Sequence, residues 1–138
     1  MLGDTQTLKN QTSNADYPEL PGQVSDAVTV RKVSDEAYGS EYRYRFSDGE
    51  HTLKVRNTVE KATAAKPQMN RHNVEMTYNR FADEANGIPA ATFQAYLVCR
   101  YPSSEAGDEA KALAYALSYY ITGSSSAANF LKIFNFES

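Results

Sequence analysis

Cysteine occurs once in this sequence, at Cys99, and histidine only twice, at His51 and His72. A single cysteine excludes an internal disulfide framework, and a zinc site would have to be built largely from carboxylates. Neither a metal site nor a cofactor is expected. No run approaches the roughly 18 consecutive apolar residues of a membrane-spanning helix. The first residues, MLGDTQTLKNQTSN, lack the basic start and apolar stretch of a signal peptide. The expectation is a soluble protein made in a cytosol, with no membrane partner. Catalytic signatures are missing as well: there is no Gly-rich phosphate loop and no nucleophile elbow, and the histidines are remote from any partner. The carboxylate pairs in candidate loops, Asp35-Glu36 and Asp83-Glu84, point their side chains apart if extended. An enzyme is not expected.

What the chain does hold is 138 residues, 41% of them apolar and 12% aromatic. That is enough for one core and too little to require two, so residues 1–138 are read as a single domain. The net charge of −3 is unevenly placed. Residues 31–80 carry ten of the fourteen Lys and Arg but seven of the seventeen Asp and Glu. Asymmetry of this kind can hide a basic face within an acidic total.

Residues 1–33 read as an N-terminal hairpin and loop, with a short strand at 5–9, a polar loop at 10–23 and a weak alternation beginning at Ala27 (AVTVRKV). The stronger signal is YRYRF (42–46) followed by HTLKVRNTV (51–59), joined by Ser47, Asp48, Gly49 and Glu50. Asp-Gly between two alternating runs predicts a hairpin. Tyr42, Tyr44 and Phe46 share a face with Leu53, Val55 and Val59, whereas Arg43, Arg45, Lys54, Arg56 and Thr58 share the other. No acidic residue is expected between the cations of that second face. A further strand, HNVEMTYNRF (72–81), places Val74, Met76 and Tyr78 against Asn73, Glu75 and Thr77. The last, TFQAYLVCRY (92–101), points Phe93, Ala95, Leu97, Cys99 and Tyr101 inward and Gln94, Tyr96, Val98 and Arg100 outward.

After Pro102 the period becomes helical. Ser103 or Ser104 can cap, and Ala110, Leu113, Ala114, Leu117, Tyr120 and Ile121 repeat at helical spacing. Gly123 is placed to end that helix, and residues 127–134 form a second, short one. The expected organisation is therefore α+β, with an antiparallel sheet over 41–101 and two helices over 104–134. A helix of about 17 residues spans only roughly 25 Å, too little to cover the aromatic face. Lending the helices to a partner's sheet solves this and makes an obligate homodimer.

The succession of a basic strand (HTLKVRNTV), a turn ending in QMNRHNVEMTYNRF, an aromatic-led strand (FQAYLVCRYP) and the helix EAKALAYALSYYI with a serine-rich break resembles the coat proteins of single-stranded RNA bacteriophages, the leviviruses. The match covers roughly residues 27–138, and its specificity lies in the order of the motifs. The resemblance implies an N-terminal hairpin, a five-stranded antiparallel sheet and two C-terminal helices that interlock with a partner subunit. It implies an icosahedral shell assembled in the bacterial host cytoplasm, a virion location, and single-stranded phage RNA as the partner besides the chain itself. It further implies that the open sheet face binds an RNA hairpin at the replicase start and represses its translation. The loop at 82–91, with Asp83, Glu84, Asn86, Gly87, Ile88 and Pro89, would make contacts between dimers. Lys54, Arg56, Thr58, Asn73, Glu75 and Thr77 would lie on the RNA face, and Tyr96 falls where the family has a base-stacking tyrosine. Val98 departs from the polar residue often found two positions later.

Blander readings stand beside these. The row Arg43, Arg45, Lys54 and Arg56 is equally what a solvated strand face looks like, although phosphates are its natural counter-charge. Tyr96 is either a stacking platform or a tyrosine partly buried at an edge. Arg100 shares its face. Glu75 can pair with Arg56 or accept a hydrogen bond from a base amine. Cys99 is expected to be a small core hydrophobe. The alternative function is a dimeric, sheet-based RNA-binding regulator that does not assemble, to which the 83–91 loop would be of no use.

Overall fold

A computed structural model describes residues 2–9, 19–24, 27–122 and 132–134. Six strands form one antiparallel sheet in chain order: β1 (Thr5–Leu8), β2 (Val28–Glu36), β3 (Gly39–Phe46), β4 (Gly49–Glu60), β5 (Met69–Arg80) and β6 (Ala91–Pro102). Helix α1 (Asp108–Thr122) follows. The α+β class and the order of elements agree with the sequence pattern, but the expected five-stranded sheet is a six-stranded one. The N-terminal hairpin pairs onto β3 through Arg31↔Arg43 and Lys32↔Tyr42 and extends the sheet. A register shift at Val33 lets β2 continue to Glu36, past the point where its apolar alternation stops. Two compact units divide the chain, Met1–Thr58 with Arg71–Val98 and Val59–Asn70 with Cys99–Ser138.

In the first unit, Val28, Val30, Tyr42 and Leu53 form the buried core, with Leu8, Leu20 and Tyr44 packed on it. These side chains belong to one face because Lys32↔Tyr42, Tyr42↔Leu53 and Leu8↔Val28 are direct cross-strand partners. The Tyr42 hydroxyl donates to the Gly3 carbonyl at 3.0 Å, so its polar end is satisfied where its ring is buried.

The β3–β4 turn is tighter than the Asp-Gly signal implied. Phe46 pairs with Gly49, leaving Ser47 and Asp48 as the turn and placing Gly49 inside β4. A side-chain carbon on Gly49 would lie 2.5 Å from a Tyr78 ring carbon. The glycine is needed for the ring's approach, not for the turn.

That ring belongs to an aromatic row on the apolar face. Phe46 stacks on Tyr44 at 5.8 Å, His51 on Phe46 at 5.7 Å, Tyr78 on His51 at 4.9 Å, and Phe93 on Tyr78 at 5.8 Å. His51 is fully buried in it. Its Nε2 donates to the Pro21 carbonyl at 2.7 Å, which leaves Nδ1 as the bare nitrogen, without a partner. The alternation that places Leu53 inward places His51 inward too.

In the second unit, α1 begins at Asp108, later than Ser103 or Ser104 could cap. Ser103 instead bonds Asn70 Oδ1 through its hydroxyl and the Gln68 carbonyl through its N–H. The first helical bond runs from Lys111 N–H to the Gly107 carbonyl. Gly107 has φ of 82°, and a side-chain carbon there would lie 2.9 Å from the Tyr101 ring, so only glycine fits. Cys99 is half-buried and its Sγ donates to the Ala110 carbonyl at 3.6 Å. Gly123 and most of 127–134 lie outside the described residues, of which 132–134 are helical.

Candidate nucleic-acid and assembly surfaces

Opposite the aromatic row, the second sheet face carries Arg31 from β2, Glu41, Arg43 and Arg45 from β3, and Glu50, Thr52, Lys54, Arg56 and Thr58 from β4. The expectation of an unbroken basic row is corrected by the register. Glu41 stands directly across from Lys54, and Glu50 from Arg45. Glu41 accepts from Arg43 Nη2 at 2.9 Å and lies 3.5 Å from Lys54 Nζ, while Glu50 lies 3.7 Å from Arg43 Nε. The hydrogen bond from Arg43, then the charge of Lys54, hold the Glu41 carboxyl below the usual glutamate range. The same bond raises Arg43, with Glu50 adding to it.

Arg45 is exposed and its guanidinium lies 4.8 Å from the Phe81 ring centroid, a cation–π contact. Arg56 is exposed, and the pairing with Glu75 allowed by the sequence does not form. Thr58 is exposed, and Glu75 and Thr77 are half-buried. Asn73 is only 5% exposed with an unpartnered Oδ1, so its amide is not offered to a ligand lying on the surface. On β6, Thr92 bonds Asn79 at 2.9 Å, which fixes the strand's phase and places Tyr96 on this second face. Tyr96 is 73% exposed. In the second unit, Arg100 Nε donates to Glu60 at 3.2 Å, so it too is compensated.

The loop between β5 and β6 is closed on itself. Asp83 and Ile88 exchange backbone bonds of 2.8 and 2.9 Å around a 3-10 turn, Glu84–Asn86. The Asp83 carboxylate accepts from Asn86 N–H and, at 2.6 Å, from Asn86 Nδ2. Those bonds lower the Asp83 pKa, the side-chain bond most. Glu84, Asn86, Gly87, Ile88 and Pro89 are all exposed, on a loop that is built yet covered by nothing among the described residues.

A second uncovered surface was only partly anticipated. Along α1, Ala110, Ala114, Ser118 and Ile121 are half-buried, but Leu113, Leu117 and Tyr120 of the apolar stripe are 72%, 47% and 51% exposed. Phe93, at the end of the aromatic row, is 52% exposed. On α1 alone, the open Leu113, Leu117 and Tyr120 are the kind of exposed apolar patch that marks an interaction surface. Among the described residues, no helix is long and apolar enough to cross a membrane, and no group of three or more His, Cys, Asp or Glu is placed to hold a metal.

A family model described as "Phage phiCb5, coat protein" matches residues 20–102, which is more than half of the chain. No curated protein matches.

Proposed function

We propose, from the premise that this chain belongs to the phage phiCb5 coat protein family, that it folds as an obligate homodimer, assembles into an icosahedral shell and packages single-stranded RNA against its second sheet face. Membership makes it a structural protein of a phage capsid, located in the virion. The finer reading is that of a levivirus-type coat protein assembled in the host cytoplasm, with the chain itself and phage RNA as its partners.

The observation that carries the dimer is the open stripe of α1. Full burial of an exposed leucine contributes about 1.5–3 kcal/mol, of which Leu113 has most and Leu117 roughly half still to gain against a partner. Exchange of helices between two copies satisfies both at once and closes with twofold symmetry. The self-closed loop at 83–88 then serves as the repeated contact between dimers, since its backbone bonds hold its shape while its side chains face outward. Tyr96 is the stacking platform for a base, and specific binding of a hairpin there would repress translation of the message that carries it.

Electron microscopy and nucleic-acid extraction of the protein expressed in bacteria test this reading. Closed particles of uniform size that release RNA are expected. A folded protein that stays dimeric and RNA-bound at every concentration would instead favour the non-assembling regulator.

A further inference from the structure

The second sheet face does not present its cations equally. Arg43 is held between Glu41 and Glu50, and Lys54 faces Glu41. A phosphate approaching either must compete with a carboxylate already 2.9–3.7 Å away, and the nearby negative charge repels it. Three arginines on the same face have no carboxylate within ion-pair distance among the described residues: Arg31 on β2, Arg45 on β3 and Arg56 on β4. All three are exposed.

Arg31 is the informative one. It lies directly across from Arg43, and like charges opposite each other on a sheet face are destabilising. Its other cross-strand neighbour is Thr5 on β1, which offers a hydroxyl but no charge. A local conflict left uncompensated, beside a pair that is compensated, is the pattern expected where a ligand supplies the missing charge. The hairpin that adds β1 and β2 to the sheet therefore also adds a cation to the face that carries Tyr96. From β2 to β6 is four strand spacings, roughly 19 Å, so one bound strand running across the sheet can reach both.

We infer that RNA phosphates are taken by Arg31, Arg45 and Arg56, whereas Arg43 and Lys54 are structural cations whose charge is already used by Glu41 and Glu50. This rests on the reading of the face as an RNA surface and deepens it. Arg31 thereby becomes a phosphate-binding residue. Glu41 becomes the group that limits how tightly RNA is held, since its removal would free Lys54 and leave Arg43 with Glu50 alone.

The test is binding of a fluorescent single-stranded RNA oligonucleotide of mixed sequence to the full-length protein across a salt series. Each phosphate contact to a single strand steepens the dependence of log affinity on log salt by about 0.7, or about fivefold per decade of salt. Arg31→Gln is expected to flatten the slope by that amount, with particle formation kept and the thermal midpoint unlowered, since the substitution also relieves the repulsion from Arg43. Lys54→Gln is expected to leave the slope as it is, and Glu41→Gln to steepen it. If wild-type protein binds RNA but Arg31→Gln leaves the slope unchanged while Lys54→Gln flattens it, the assignment is overturned and the RNA surface stands. If wild-type protein shows no salt-dependent RNA binding, the RNA surface itself fails and the assignment with it.

Discussion

The apolar faces of the β1–β4 strands and of α1 are similarly rich in large side chains, yet they meet opposite fates within one chain. Val28, Val30, Tyr42 and Leu53 are at most 8% exposed, and even the hydroxyl of Tyr42 has a partner. Leu113, Leu117 and Tyr120 stand open. The first set is closed by consecutive hairpins, whose strands meet at once and whose contacts are local. Among the described residues, the second has no such neighbour. The difference separates a core that a single copy completes from a surface that, in the proposed dimer, a second copy covers.

The largest expected effect comes from breaking that contrast on the helix side. Substituting exposed positions changes stability by about 0.5 kcal/mol or less when the exposure persists in the assembled state. The double variant Leu113→Lys/Leu117→Lys is expected instead to abolish particles and dimers, as read by sedimentation, because it would bury two charges in the interface. If dimers survive with wild-type stability, the stripe is not the interface.

A smaller effect tests the sheet side. His51→Ala removes the stacks with Phe46 and Tyr78 and the bond to Pro21, and is expected to lower unfolding stability by about 3 kcal/mol in denaturant titration. His51→Phe keeps the stack and is expected to lose less.

The smallest effect concerns the charged face. Glu41 titrates below the ordinary 4.5, chiefly through its bond from Arg43 and then the charge of Lys54. A carboxylate depressed in the folded state contributes stability that is complete above its unfolded value and is lost as pH falls through the folded one. Stability should therefore decline from about pH 4.5 downward, and Glu41→Gln should abolish that part of the decline while lowering stability at neutral pH by about 0.5–1 kcal/mol. Acid titration of both proteins, followed by circular dichroism, measures the difference.

Strand period and strand order were legible in the chain because alternation is a local property. Four of the six strands are marked by it clearly, β2 by a weak alternation and β1 only as a short strand before a polar loop. Pairing was less legible. Glu41 lies just before YRYRF and Glu50 within the expected turn, so alternation alone keeps both out of the row of cations, whereas the register pairs Glu41 with Lys54 and Glu50 with Arg45 inside the strands. Asn73 alternates correctly with Glu75 and Thr77, but its burial depends on neighbours that alternation does not name. The start of α1 was displaced for a similar reason. Serines suggested a cap, whereas the Tyr101 ring, six residues away in sequence from Gly107, decides where the chain can turn.

The central claim, that folding and dimerisation are one event, is tested most directly by denaturant unfolding of the purified protein over a hundredfold range of concentration, with RNA removed. For an obligate dimer, each tenfold rise in concentration adds about 1.4 kcal/mol to the apparent stability, so the midpoint moves steadily upward. A midpoint independent of concentration, from a protein that sediments as a folded monomer, would contradict the account.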